Sequence, residues 1–401
     1  MQNSLPRSST LDILNRLIAF PTVSRDSNLD LIDWVQNHLT TLGFRTRLSY
    51  DSTRSKANLF ASIGPDVRGG ILLSGHTDVV PVDGQDWHTH PFQAEVIGDK
   101  LFGRGACDMK GFLAVVLSSV EALGRMTLTQ PIHLAFSYDE EVGCKGVRTL
   151  LADLEAAGTL PSACIVGEPT DMQIVRAHKG SRNYRCCVRG KEAHASRTQD
   201  GINAIQHAAR IIGHIDDMAD AFASNPEIDS AFETPFDTIQ TSLITGGMAR
   251  NIVPRDCEFT FGYRYLPHSD PDQIFANVRD YGVNELLPRM RAKSESARID
   301  FEKLSDNPAL SPEHNARIAQ FASSLEGAQG MGPGVGYMTE GGIYQNSGIP
   351  TVICGPGSIV QAHRPNEYVP LTQLAECERF MASLWSNYGQ FQKQITGVQL
   401  G

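Results

Sequence analysis

An apolar stretch that ends in three successive carboxylates constrains this sequence more than any other feature. Residues 132–138 (IHLAFSY) are typical of a buried strand, and Asp139, Glu140 and Glu141 follow directly. Carboxylates this close repel one another, and each is costly to desolvate unless a cation compensates its charge. The strand end is therefore either fully solvated or built around a metal ion. Because side chains alternate along an extended chain, we expect Glu140 and Glu141 to take different roles.

Length and composition indicate a globular protein of two domains. The chain has 401 residues, which is too long for one ordinary hydrophobic core. Its hydrophobic content of 41% and charged content of 20% are those of a folded chain. A formal net charge of -10 argues against nucleic acid or an anionic membrane as a partner.

The N-terminal sequence and the cysteines predict a cytoplasmic protein. Residues 1–10 (MQNSLPRSST) lack the apolar core of a signal peptide, and no apolar run approaches a membrane span. The eight cysteines form no CxxC pair and no disulfide framework. Free thiols in a reducing cytoplasm are the simplest interpretation.

Short apolar segments alternate with helical spacing in the first part of the chain. The segments at residues 58–63, 70–74, 132–138 and 163–166 predict strands, with helices between most of them. This alternation predicts an α/β sheet with helices on its faces. In such sheets the chemistry collects beyond the carboxyl ends of the strands.

The middle of the chain indicates a second kind of domain. Apolar and polar residues alternate from 184 to 189, as in a half-exposed strand, and a helix, two strands and a second helix follow. The order strand, helix, two strands, helix, strand would form a ferredoxin-like α+β domain. We place this inserted domain at residues 179–294. The α/β domain is then discontinuous, at 1–178 and 295–401, and we expect its second part to include a strand near Ile299.

Four further side chains of the kinds that bind metals lie at strand ends, helix starts or nearby loops. His76 and Glu168 each end an apolar strand, Asp108 follows a glycine-rich turn, and His363 lies in a loop after a strand. Each has a structural interpretation when it is considered alone, such as a helix N-cap for Asp108.

Two neighbours of these residues have alternative interpretations. Asp78 can hydrogen-bond the second ring nitrogen of His76 and fix its tautomer, although a His-x-Asp motif alone is weak evidence. Cys107, next to Asp108, is either a soft metal ligand or a packed small residue, and we favour the packed residue.

Together the candidates predict a centre for two divalent metal ions. Two imidazoles and three carboxylates suit two ions of the zinc, cobalt or manganese kind that share one bridging carboxylate. Two such ions activate a water and polarise a carbonyl together. Glu140 is left without a metal to bind and lies next to the centre, as a general base requires. The predicted metal ligands are His76, Asp108, Glu141, Glu168 and His363.

These motifs resemble the di-zinc deacylase and peptidase family, and the resemblance covers about residues 10–390. The most specific segments are SGHTDVVP (74–81), GRGACDMKGF (103–112), SYDEEVGC (137–144) and GEPT (167–170). Softer positions most resemble the branch of the family that deacetylates N-acetylornithine. These are GGMARNIVP (246–254), TEGG (339–342), CGPGSI (354–359) and QAHRPNEY (361–368).

The resemblance implies a division of work among the ligands. Asp108 would bridge both ions, His76 and Glu168 would complete one site, and Glu141 and His363 would complete the other. Glu140 would be the base. The inserted domain would be the lid and dimerisation domain of a homodimer.

The resemblance also implies roles for three residues of the inserted domain. His194 matches a lid histidine that stabilises the oxyanion in a neighbouring active site, although a lone histidine after a strand is more often structural. Asn251 and Arg264 match positions that hold the substrate carboxylate, which suits a bidentate guanidinium. Ala195 and the RPN segment at 364–366 depart from the family pattern, but neither change removes a ligand.

The expected activity is hydrolysis of N-acetylornithine to ornithine and acetate, in arginine biosynthesis. It would use two Zn²⁺ ions, or Co²⁺ in their place, a metal-bridging water and Glu140 as the base. The alternatives in the same family are an N-acyl-amino-acid deacylase, a succinyl-diaminopimelate desuccinylase and a dipeptidase. A non-catalytic metal-binding protein is disfavoured because the base and all five ligands are present. A nucleotide-binding protein is disfavoured because neither GxGxxG nor a P-loop follows a strand.

Overall fold

The computed structural model describes residues 5–224 and 229–396, and the chain divides into two compact units. The first unit comprises the chain up to Ala177, Leu310–Pro333 and the chain from Thr339 onward. The second unit comprises His178–Ala309 and Gly334–Met338. Within the described residues, no helix combines the length and the apolarity that a membrane crossing needs.

A six-stranded mixed sheet forms the centre of the first unit. Four adjacent strands run parallel, so their carboxyl ends meet at one edge. Two further strands extend the sheet, each antiparallel to the strand before it. In sheet order the strands are Arg45–Tyr50, Ala57–Ile63, Ile132–Ser137, Ile71–His76, Ala163–Val166 and Thr351–Ile353. A separate three-stranded sheet consists of Tyr368–Pro370, Lys100–Phe102 and Glu95–Ile97.

The most buried helix of the first unit is Gly111–Ser119, in which every residue is buried. A helix that is apolar on all sides has to be enclosed, and this one packs against Ser8–Ile18 and Leu371–Ser386. It therefore provides a rigid base for the turn that precedes it, Ala106–Lys110. The other helices of this unit are Leu29–Thr41, Lys145–Ala157, Ala316–Ser323, Gly341–Asn346 and Tyr388–Phe391.

The second unit is an antiparallel sheet with helices packed on its apolar side. In sheet order its strands are Arg298–Asn307, Gly180–Arg189, Asp256–Tyr265 and Thr238–Gly246. Alternate residues of the strand Asp256–Tyr265 are buried, which leaves the other sheet face open. The strand and helix order is the ferredoxin-like one, so the α+β prediction is confirmed. Its helices are Ala204–Ala223, Pro271–Asp280 and Leu287–Arg291.

The structure differs from the prediction for the segment after residue 294. The strand that we expected near Ile299 in the α/β domain is the edge strand Arg298–Asn307 of the second unit, with Ile299 opposite Val188. The first unit resumes only at Leu310. A half-exposed strand has the same alternation in either sheet, so the pattern alone could not reveal the pairing partner.

Candidate metal centre

The parallel strands bring the five predicted ligands to one edge of the sheet. His76 is the last residue of its strand, and Glu141 and Glu168 follow the two strands on either side of it. Asp108 lies in the turn before the buried helix, and His363 lies in the loop after the last strand of the sheet. Residues from distant parts of the chain thus meet where the strands end.

The ligand atoms form two overlapping groups that share Asp108. In the first group, His76 Nε2 lies 3.0 Å from Asp108 Oδ1 and 3.6 Å from Glu168 Oε1. In the second group, His363 Nε2 lies 3.3 Å from Asp108 Oδ2 and 3.0 Å from Glu141 Oε2. Asp108 therefore presents one oxygen to each group, as a bridging carboxylate does.

These separations fit a pair of divalent ions. Two donor atoms that bind one tetrahedral ion at about 2.1 Å lie about 3.4 Å from each other. The four separations above, 3.0 to 3.6 Å, lie close to that value. A mixture of imidazole and carboxylate donors also suits ions of the zinc kind. The residues present therefore fit the expected metal pair.

The electrostatics of the groups show how strongly the site favours positive charge. Burial raises the pKa of Glu168 well above its usual range, and the charge of Asp108 raises it further. Burial together with Asp108 raises the pKa of Glu141 to about 7. Hydrogen bonds with Asp108 and Glu141 raise the pKa of His363 to about 10. Burial and the neighbouring carboxylates thus favour a positive charge at the site, which a divalent ion would supply.

Glu140 lies beside the two groups and belongs to neither of them. The residue is 4% exposed, and Cys144 Sγ donates a hydrogen bond to Oε1 at 3.4 Å. Burial raises the pKa of Glu140 well above its usual range. A buried carboxylate that lies outside the ligand groups and is held in place has the properties of a general base.

Asp78 supports the site differently from the prediction. The Nδ1 atom of His76 contacts the backbone oxygen of Asp78 at 2.9 Å, whereas the carboxylate Oδ1 lies 3.7 Å away. The carboxylate instead accepts the backbone N–H of Glu140 at 3.1 Å and that of Glu141 at 3.3 Å. Asp78 therefore orients His76 through its main chain and the two glutamates through its side chain.

Asp139 and Cys107 lie near the centre, but each contacts a residue outside the two ligand groups. Asp139 forms an ion pair with Lys56. Cys107 donates a hydrogen bond to the backbone oxygen of Ser358 at 3.3 Å. Burial raises the pKa of the Cys107 thiol well above its usual range, which disfavours the thiolate that a metal needs.

The three predicted lid residues lie in the second unit, where Arg264 is in a strand and His194 and Asn251 lie outside the strands. His194 and Asn251 are exposed neighbours, because the backbone N–H of Ala195 donates to the Asn251 oxygen at 2.9 Å. Arg264 lies at the far end of the strand Asp256–Tyr265, on its exposed side as expected. The structure therefore brings His194 and Asn251 together but does not bring Arg264 to them.

Glu340, for which the sequence predicted no role, is a buried acid near the strands that carry the ligands. Glu340 is 1% exposed, and its Oε2 accepts a hydrogen bond from Ser74 at 3.3 Å. In the part of the chain that the structure describes, its Oε1 has no hydrogen-bond partner. Burial raises its pKa to about 7. The signal that could have identified it is an isolated acid in the segment TEGG.

A parallel sheet whose strand ends carry two overlapping ligand groups, with a separate glutamate beside them, points to the class of dinuclear metal hydrolases. Comparison with known proteins gives the family. Residues 72–387 match the Peptidase family M20/M25/M40, and the chain belongs to this family. It is a metal-dependent hydrolase of the deacylase and peptidase type.

Individual relatives agree with this membership. Over 394 residues the chain is 34% identical to the acetylornithine deacetylase of Pasteurella multocida (strain Pm70). The aligned region covers 96% of this chain and 98% of that protein. An M20 family metallo-carboxypeptidase from Sulfolobus solfataricus has a TM-score of 0.72 at 18% identity, covering 94% of this chain and 99% of its own. A dinuclear metal-binding M20 peptidase from Bacillus subtilis has a TM-score of 0.68 at 15% identity, covering 94% and 96%.

Proposed function

We propose that this hydrolase removes the acetyl group of N-acetylornithine and releases ornithine and acetate, in arginine biosynthesis. The observation that carries the proposal is the pair of donor groups sharing Asp108, with Glu140 beside them. The choice of substrate is supported by the 34% identity to an acetylornithine deacetylase over nearly the whole chain.

His76, Asp108 and Glu168 would hold one ion, and Asp108, Glu141 and His363 would hold the other. We propose zinc as the native metal, with cobalt able to replace it, because both accept imidazole and carboxylate donors. When bound, the two ions would polarise the amide carbonyl and lower the pKa of a water molecule.

Glu140 is the residue that would move the proton. It would take a proton from the attacking water and deliver it to the leaving amine. The backbone N–H of Glu140 donates to Asp78 Oδ1 at 3.1 Å, and Cys144 Sγ donates to Glu140 Oε1 at 3.4 Å. These two hydrogen bonds restrict the orientation of Glu140. Its raised pKa makes it a stronger base than an exposed glutamate.

The second unit would serve as the lid and dimerisation domain of a homodimer. His194 would donate a hydrogen bond to the developing oxyanion, and Asn251 and Arg264 would hold the substrate carboxylate. The edge strand Thr238–Gly246 supports dimerisation, because Leu243 is 69% exposed and the next residue, Ile244, 55%. Exposed apolar side chains on the edge strand of a sheet suit pairing with a second copy.

A cytoplasmic location is supported by the cysteines. All eight are free thiols in the structure, and nearly all of them are buried. A chain that keeps this many unpaired thiols fits a reducing compartment.

The substrate assignment is tested by comparing the rates of the zinc-loaded protein on four compounds. These are N-acetylornithine, N-acetylmethionine, N-succinyl-diaminopimelate and a dipeptide. We expect kcat/KM to be highest for N-acetylornithine, and a higher value for another compound would transfer the assignment to that sister activity. Removing the metal with a chelator should abolish the rate, and adding Zn²⁺ should restore it. A zinc-loaded protein that hydrolyses none of the four would refute the proposal.

A further inference from the structure

A fully buried ion pair lies against the turn that carries Asp108. Arg104 and Glu367 are each 1% exposed, and Arg104 Nη1 donates to Glu367 Oε2 at 2.8 Å. Burying two charges is costly, and it is offset only when further hydrogen bonds satisfy both groups. The other partners of this pair therefore show what it holds in place.

The Glu367 carboxylate accepts three backbone N–H groups of the Asp108 turn. Its Oε2 accepts from Gly105 at 3.0 Å, and its Oε1 accepts from Cys107 at 2.9 Å and from Asp108 itself at 3.0 Å. Hydrogen bonds to a charged acceptor are stronger than neutral ones. Because Asp108 is shared by both donor groups, the position of its backbone helps to determine where both of its oxygens lie.

The same ion pair also reaches the loop that carries His363. Glu367 is four residues beyond His363, and Arg104 donates to the backbone oxygen of Arg364 at 3.2 Å. Arg104 Nη2 donates to Gln85 Oε1 at 2.6 Å, and Gln85 Nε2 donates to the backbone oxygen of His363 at 3.0 Å. The side chain of His363 is 55% exposed, so burial alone does not fix its position.

The ligands of the other group are held differently. His76 is part of a buried central strand and is 1% exposed. Glu168 lies two residues beyond the end of the neighbouring buried strand, Ala163–Val166. The hydrogen bonds of Glu367 and Gln85 given above reach neither of them. Of the three ligands in the first group, only Asp108 is contacted by Glu367 or Gln85, whereas the second group has two such ligands, Asp108 and His363.

We propose that Glu367, together with Arg104 and Gln85, positions Asp108 and His363 for the ion that these two residues share with Glu141. This inference rests on the proposed two-ion centre. The three positioning residues act through the backbones of the ligands and do not themselves bind metal. Their loss should therefore weaken one ion more than the other.

The direct test is cobalt binding by a Glu367→Gln variant. Metal-free protein is titrated with Co²⁺ and followed by visible absorption and by calorimetry. Loss of a residue that orients metal ligands typically costs about 10–100-fold in affinity, and we expect a loss of this size for the ion of the His363 group. The ion of the His76 group should lose less. A His363→Ala variant identifies which of the two binding steps belongs to the His363 group.

A milder variant and a matched control complete the experiment. Gln85→Ala leaves the buried ion pair intact and should weaken the same step by a smaller factor, so it decides the question if Glu367→Gln does not fold. Asp306→Asn removes an ion pair with Arg182, 2.8 Å long, in the second unit and should change neither step.

Three outcomes would count against a proposal. Wild-type affinity at both steps in Glu367→Gln and Gln85→Ala would overturn the positioning role, and so would an equal loss at both steps. Failure of the wild-type protein to bind two ions would instead refute the two-ion centre.

Discussion

Glu140 and Glu141 are adjacent in the chain but have different surroundings. The Oε2 atom of Glu141 lies 3.0 Å from the ring of His363, within the second donor group. The carboxylate of Glu140 lies outside both groups and contacts Cys144. One backbone segment, held by the Asp78 carboxylate, thus supplies a proposed metal ligand and a separate carboxylate from neighbouring positions.

Replacing Glu140 should separate catalysis from metal binding. A Glu140→Gln side chain keeps its size but cannot accept a proton, so kcat should fall by a factor of about 10²–10⁴ or more. The ion content, measured by elemental analysis, should stay at the wild-type value. The comparison variant, Glu141→Gln, should lose both activity and an ion. Wild-type turnover in Glu140→Gln would disprove the base assignment.

The sequence was sufficient to predict that the five proposed ligands lie at one site, but not to identify the residues that hold them in position. His76, Glu141 and Glu168 could be recognised because each follows an apolar segment that reads as a strand. Glu367 and Glu340 could not, because their hydrogen bonds reach segments far away in the chain and leave no periodic pattern. The role of the Asp78 carboxylate was missed because the prediction considered only His76, two residues away, as the donor to it.

At the scale of elements, the strand that leads to Glu168 packs closely against the buried helix Gly111–Ser119. A Cβ atom on Gly167 would lie 2.0 Å from the ring of Phe112, which is part of that helix. Phe112 is 1% exposed and its helix is enclosed on all sides, so the ring has little room to move. The close approach at Gly167 thus sets the position of the ligand that follows it.

A Gly167→Ala substitution should therefore displace Glu168. We expect the strand end to shift, the affinity for the ion of the His76 group to fall at least about tenfold, and stability to drop by about 1–3 kcal/mol. Cobalt titration and denaturant unfolding measure the two effects. Gly213→Ala is the matched control, because it lies in a helix with open space around it and should be stabilising by up to about 1 kcal/mol. Unchanged cobalt binding in Gly167→Ala would contradict the argument.

His133, on the strand Ile132–Ser137, should make stability depend on pH. Burial lowers its pKa to about 4, and its ring contacts Ser62 Oγ at 2.7 Å and the Gly69 oxygen at 2.9 Å. Between pH 6.5 and 4 the unfolded state binds the proton and the folded state does not. Stability should therefore fall with decreasing pH in this range, by up to about 3 kcal/mol.

Denaturant unfolding of wild-type protein and a His133→Gln variant at several pH values tests this dependence. The glutamine does not titrate, so the difference in unfolding free energy between the two proteins should shrink as the pH falls from 7 to 4.5. A difference that is independent of pH would show that His133 does not contribute in this way.

At the scale of the whole molecule, the proposed dimer depends on the edge strand of the second unit. A charge on this strand should prevent pairing with a second copy, because it would be desolvated in the interface. We expect a Leu243→Lys, Ile244→Lys double variant to sediment as a monomer while the wild type sediments as a dimer, because like charges on paired strands repel each other. Val67→Glu, at a residue 51% exposed in the first unit, should leave the wild-type assembly unchanged. A wild-type protein that is monomeric would refute the proposal.

The sequence predicted the two kinds of domain but not where the chain returns to the first. Both the α/β sheet and the inserted α+β unit follow from the change in apolar spacing near residue 180. The strand Arg298–Asn307 was assigned to the wrong sheet because its alternation is equally compatible with both. Arg45–Tyr50 was not anticipated, since an edge strand with mostly polar, partly exposed residues has a weak apolar signal.

The discontinuous first unit has a consequence for how the protein acquires its structure during synthesis. The four-stranded sheet is complete once Asn307 has been made, whereas the six-stranded sheet needs Thr351–Ile353 and the second donor group needs His363. Domains generally fold as units while the chain emerges. The inserted unit should therefore form its sheet while the earlier part of the first unit still waits for its last strand. A complete set of ligands becomes available only near the end of translation, so metal loading should follow folding of the inserted sheet.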